Sequence, residues 1–87
     1  MKGMYRITLS KKADKILRRM PRNLSLNIAK KIRQLAQNPH EMQNVKKLTD
    51  NPGYRLRVGD WRIVYTVNDN DLLIHVINVK TRGEVYK

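Results

Sequence analysis

The stretch YRLRVGDWRIVY, Tyr54 to Tyr65, decides the fold. Its two halves alternate around Gly59-Asp60, a dipeptide suited to a two-residue hairpin loop. That loop sets Val58 opposite Trp61, Arg57 opposite Arg62 and Leu56 opposite Ile63. Leu56, Val58, Trp61, Ile63, Tyr65 and Val67 then share one face, while Arg55, Arg57 and Arg62 stand on the other. Like charges directly opposite on a strand pair cost stability. Three guanidiniums with no alternating acid therefore point to an anion, because arginine presents a planar fork of donors to phosphate oxygens.

Working outward, MYRITL (Met4–Leu9) alternates and predicts a first strand, with Ser10 as the cap of a following helix. KKADKILRRM places Ala13, Ile16, Leu17 and Met20 on one helical face. Pro21 then separates it from RNLSLNIAKKIRQLAQ, where Leu24, Ile28, Ile32, Leu35 and Ala36 recur at helical spacing. Asn38-Pro39 ends that helix. Residues 39–52 read as a loop. Three strands follow, Tyr54–Val58, Trp61–Val67 and Leu72–Val79, the last two joined by Asn68–Asp71. The expectation is a single α+β domain over residues 1–87, ordered β-α-α-β-β-β. A helical hairpin packs on one face of a mainly antiparallel sheet. Pairing Val67 with Leu72 brings Ile74 and Val76 to the helix face and sets His75 beside Val64 on the other.

The chain has 87 residues and a net charge of +12, from nineteen Lys and Arg against seven acids. Residues 1–49 hold thirteen basic and two acidic residues, a net of +11. Such a surface attracts phosphate polymers and acidic proteins. With no cysteine, and with His40 and His75 far apart in sequence, the chain predicts no metal centre and no cofactor. No apolar run approaches membrane-spanning length, and MKGMYRITLS lacks a signal-peptide core, so the expectation is a cytoplasmic protein without membrane contact. Glycine-rich phosphate loops, paired carboxylates and nucleophile motifs are absent. Any enzyme built from these residues works by positioning and charge stabilisation, with Arg, Lys and Tyr as its tools. His75, between apolar residues, reads as a packed side chain more readily than as an acid–base group.

The whole pattern resembles the RelE/ParE superfamily of toxins from toxin–antitoxin systems. The resemblance is carried by the basic helical hairpin, by KKLTDNPGYRLRVGDWRIVYTV, and by IHVINVKTRGEVY at the end of the chain. In its RelE branch it implies a ribosome-dependent mRNA endoribonuclease. Such a toxin cuts in the 30S A site by metal-free attack of a 2′-hydroxyl on the adjacent phosphate. By motif, Arg62 is implied to hold the scissile phosphate and Arg82 to assist the leaving oxygen. Tyr86 is implied to act as base and to stack on the mRNA. Arg55 and Arg57 match a basic pair that is often lysine in the family, and arginine confines them to electrostatic roles. Lys46 and Lys47 are implied to contact RNA, and Lys80 leaves the last strand beside Arg82. Thr81 stands where the family often has histidine. The partners implied are a cognate antitoxin, the ribosome and mRNA. The alternatives are a ParE-like inhibitor of DNA gyrase and a non-catalytic RNA-binding domain.

Overall fold

A computed structural model describes residues 4–49 and 52–81. The elements are β1 (Arg6–Leu9), α1 (Lys11–Arg19), α2 (Arg22–Gln37), β2 (Val45–Lys47), β3 (Tyr54–Val58), β4 (Trp61–Asn68) and β5 (Leu73–Thr81). The α+β class holds, with one strand more than the sequence suggested. The five strands lie in the order β1-β5-β4-β3-β2; every pair is antiparallel except β1 with β5.

The helices begin and end where local chemistry dictates. Ser10 caps α1: its Oγ accepts from the Ala13 N–H at 3.0 Å and donates to the Ile77 carbonyl, so one hydroxyl joins the helix to β5. Pro21 is the cap residue of α2, and its carbonyl takes the N–H groups of Leu24 and Ser25. Ala13 of α1 and Ile28, Ile32, Leu35 and Ala36 of α2 are buried. They pack against Leu56, Val58, Ile63, Tyr65, Ile74, Val76 and Val79 of the sheet. Burial of this apolar surface is the main driving force for the fold. Leu24 departs from its expected place and is 37% exposed.

The β3–β4 hairpin has the expected register, with Val58, Arg57 and Leu56 opposite Trp61, Arg62 and Ile63. Gly59 takes φ +58 at the first loop position, while Asp60 stays at negative φ. That is the type II′ pattern, whose twist suits a hairpin. Gly53 is needed for a different reason: a Cβ there would lie 2.8 Å from the Tyr65 carbonyl oxygen, so the loop could not approach β4 so closely.

Two expectations need correction. Residues 39–52 are not all loop, because Val45, Lys46 and Lys47 pair with Leu56, Arg55 and Tyr54 as an edge strand. Asn44, at φ +65, turns the chain into that strand. The second correction concerns β5. Leu72 has φ +49 and belongs to the turn, so Val67 pairs with Ile74 instead. A two-residue shift preserves the faces, and Ile74 and Val76 are buried as expected. A β-bulge then intervenes, with Tyr65 opposite Val76 but Val64 opposite Asn78, leaving Ile77 as the extra residue. Past the bulge the alternation reverses. Val79 turns into the core and Lys80 turns out.

At the end of the sheet away from the hairpin, three segments meet at one carboxylate. Tyr5 Oη donates to Asp69 Oδ1 at 2.5 Å, and His40 Nε2 lies 2.7 Å from the same oxygen.

Candidate functional site

The outer face of the sheet, opposite the helices, carries two cross-strand rows. Arg57, Arg62 and Lys80 lie side by side in one, and Lys46, Arg55, Val64 and Asn78 in the next. Directly paired residues project to the same side, and so do residues two apart on a strand. Lys46, Arg55, Arg57, Arg62 and Lys80 therefore form one patch. Lys80 belongs to it only because the bulge reversed the alternation of β5. Among the described residues the ion pairs are Arg18–Asp14 and His40–Asp69, and neither involves a cation of this patch.

Arg62 is not on an open face, as the alternation suggested, but 6% exposed. Its Nη1 donates to the carbonyls of Trp61 (3.1 Å) and Gly59 (3.3 Å), folding the side chain back on its own hairpin. Its Nε is buried with no hydrogen-bond partner among the described residues. A buried donor left unmade costs on the order of 1–3 kcal/mol, and guanidinium is a worse case than a neutral amide. Arg57 is exposed and Lys80 half-buried on either side of it. The arrangement is a held guanidinium at the base of a more exposed cationic rim, a geometry suited to an anion that supplies the missing acceptor.

The remaining assignments separate. Lys47 pairs with Tyr54, whose ring stacks on buried Tyr65 at a centroid distance of 5.7 Å, so Lys47 stands on the helix side, away from Lys46. His75 neighbours Thr66 rather than Val64, and its Nδ1 is 2.7 Å from the Thr8 hydroxyl oxygen. Five residues along β5 from Lys80, it has no place in the cationic rows. Arg82 and Tyr86 lie outside the described residues. Of the other tyrosines, Tyr65 is pushed far up in pKa by burial and then by Tyr54, which keeps its phenol protonated and unavailable as a base near neutral pH. Tyr5 is raised by its hydrogen bond to Asp69, whose own carboxyl is lowered by the bonds from Tyr5 and His40. Among the described residues no group of three His, Cys, Asp or Glu is placed to hold a metal ion, and no helix is long and apolar enough to cross a membrane.

Sequence reasoning overlooked Asn78. It is 9% exposed on the cationic face, and its Oδ1 accepts from the Val79 N–H at 2.8 Å. The available signal was an asparagine inside the apolar run IHVINV.

Comparison with known proteins adds an independent line. A family model described as the ParE toxin of the type II toxin–antitoxin system parDE matches residues 7–86. Among solved structures, the chain is similar to RelE in the archaeal RelE–RelB complex from Pyrococcus horikoshii OT3. The identity is 29%, with 93% of this chain and 98% of that one covered, at a TM-score of 0.81. It is similar to a double arginine-to-alanine mutant of the E. coli toxin RelE in the free state, at 26% identity, 97% and 92% coverage and a TM-score of 0.77. It also shares the fold of a YoeB/ParE toxin from Agrobacterium tumefaciens, at 16% identity, 87% and 96% coverage and a TM-score of 0.75. No curated protein matches.

Proposed function

Because this chain belongs to the ParE toxin family, within the RelE/ParE superfamily of type II toxin–antitoxin systems, and has a RelE-like fold, we propose that its cationic sheet face cleaves mRNA on the ribosome. The observation that carries the proposal is Arg62, whose buried Nε has no partner among the described residues, in a row of cations that no described acid neutralises. A phosphate oxygen is an acceptor of the kind such a donor lacks.

In the reaction, the ribose 2′-hydroxyl attacks the adjacent phosphorus as the bond to the 5′-oxygen breaks. A 2′,3′-cyclic phosphate and a 5′-hydroxyl result. Negative charge grows on the non-bridging oxygens, where Arg62 donates from below and Arg57 and Lys80 from the sides. Preorganised donors of this kind contribute about 10²–10³ each in rate. Arginines keep their protons near neutral pH, so proton transfer falls to another group. Tyr86 takes the 2′-hydroxyl proton and Arg82 supports the leaving oxygen. Arg55 and Lys46 bind the flanking backbone. An antitoxin silences the site by laying an acidic segment over the same cations, as expected for a relative of toxins solved with RelB.

Primer extension on an mRNA incubated with the purified protein, with and without ribosomes, tests the reading. Cuts that require ribosomes are expected, and cuts without ribosomes would reject the A-site mechanism. The matching family model is described as ParE, so the one other reading is the ParE-like alternative, inhibition of DNA gyrase. Blocked supercoiling with no cut mRNA would establish it.

A further inference from the structure

Beside the phosphate row lies a recess of about 250 Å³, and its lining is unlike the rest of the cationic face. Pro52, Val64 and Ile77 give it apolar walls; Thr66, Asn78 and Lys80 supply the polar groups. We propose that this recess is a nucleobase subsite, and that Asn78 reads the edge of the base it takes. The inference rests on the outer face being an RNA surface, and goes beyond that reading by assigning the place of a base.

Three features point to a base rather than to a lipid tail or a peptide side chain. The first is position. Lys80 belongs both to the recess and to the row of Arg57 and Arg62, while Val64 and Asn78 form the next row. Two residues along a strand is about 7 Å, on the scale of the step from a phosphate to its own base. A strand of RNA held at Arg62 therefore places a base over Val64 and Asn78. The second is shape and polarity. Apolar walls around few polar groups suit a heteroaromatic ring, and single-stranded RNA is read by stacking and by hydrogen bonds to exposed base edges.

The third is the fixed amide. Asn78 is 9% exposed, and the Val79 N–H holds its Oδ1 at 2.8 Å, which settles which end of the amide faces the recess. No described residue accepts a hydrogen bond from Nδ2. The site thus offers donors and selects a base edge rich in acceptors. The O6/N7 edge of guanine fits, whereas adenine puts its N6 amino group where an acceptor is required. The bulge creates this arrangement. It seats Ile77 and Asn78, consecutive residues, on one recess, and the Ser10 hydroxyl fastens the Ile77 carbonyl. Bulges commonly re-aim a side chain next to a functional site.

The test measures binding by NMR titration of the purified chain, using trinucleotides whose first two residues are 2′-deoxy, so that neither phosphate has a 2′-hydroxyl to attack it. With G or A at the centre, the expected result is a preference for G of about fivefold. Asn78→Asp keeps the acceptor for the Val79 N–H and replaces the donors with an acceptor. It should abolish or invert the ratio, which a general loss of affinity from the added charge would leave unchanged. Ile77→Ser, at a position 40% exposed, should weaken both ligands alike and leave the ratio intact. Equal binding of G and A by the unmodified chain, an unchanged ratio in Asn78→Asp, or no binding at millimolar concentrations would each overturn the subsite. Base-selective binding without ribosome-dependent cuts in a parallel primer extension would instead overturn the nuclease and leave the subsite standing.

Discussion

At the scale of single residues, the role proposed for Arg62 sets function against stability. Its buried Nε lacks a partner among the described residues, so a side chain of similar length without polar atoms should suit the free protein better. We expect Arg62→Met to raise the unfolding free energy by about 1–2 kcal/mol, read as a higher urea midpoint at unchanged slope. The same substitution should lower mRNA cleavage by about 10²–10³. A variant that is less stable, or that still cuts at the original rate, would remove Arg62 from the role assigned to it. The sequence made half of this visible. Alternation in YRLRVGDWRIVY assigned Arg62 to the correct face and to the row of Arg57. It carried no information on depth, because depth depends on how the side chain folds back onto the carbonyls of Gly59 and Trp61.

At the scale of elements, Ser10 ties α1 to the bulge of β5. Ser10→Ala removes the acceptor for the Ala13 N–H and the donor to the Ile77 carbonyl together. A cost of about 1–2 kcal/mol is expected from chemical denaturation. Restoration of most of the loss by Ser10→Thr, which keeps a hydroxyl, would separate the hydrogen bonds from mere packing. Elements were legible where their patterns were long. The sixteen residues of α2 repeat the helical period four times over, and their bounds were read without error. The three residues of β2 contain no full alternation, and only pairing with β3 makes them a strand. The bulge was hardly legible for a related reason. In IHVINVK strict alternation would turn Asn78 and Lys80 inward and Val79 outward, a trace of the break, but its position at Ile77 arises from what β4 presents opposite it.

At the scale of the whole molecule, charge and topology govern behaviour. Binding of non-cleavable single-stranded RNA should weaken with salt, and each lost phosphate contact should flatten the log–log slope by about 0.7. Arg57→Gln and Lys46→Gln are each expected to show that change, and Lys47→Gln is not, since Lys47 stands on the other side of the sheet. A slope that responds equally to all three would mean that binding follows net charge rather than this face. The Tyr5–Asp69–His40 junction gives a separate dependence on acid. Asp69 has a lowered pKa in the folded state, so its contribution is complete above the ordinary aspartate value and disappears as pH falls through the lowered one. The Tm of Asp69→Asn should therefore lie below that of the parent at neutral pH, and the two should converge at strongly acidic pH.

The seam between β1 and β5 has a consequence in time. Thr8 meets His75 across 67 positions of sequence, and β5 lies between β1 and β4 in the sheet. A chain made from its N-terminus holds β1 without a neighbour until Leu73–Thr81 has been added, and long-range pairing of this kind is slow to form. Lys80, which completes the cationic row, comes at the close of that same strand. A partly synthesised chain on its ribosome therefore carries the charge of this protein without its weapon.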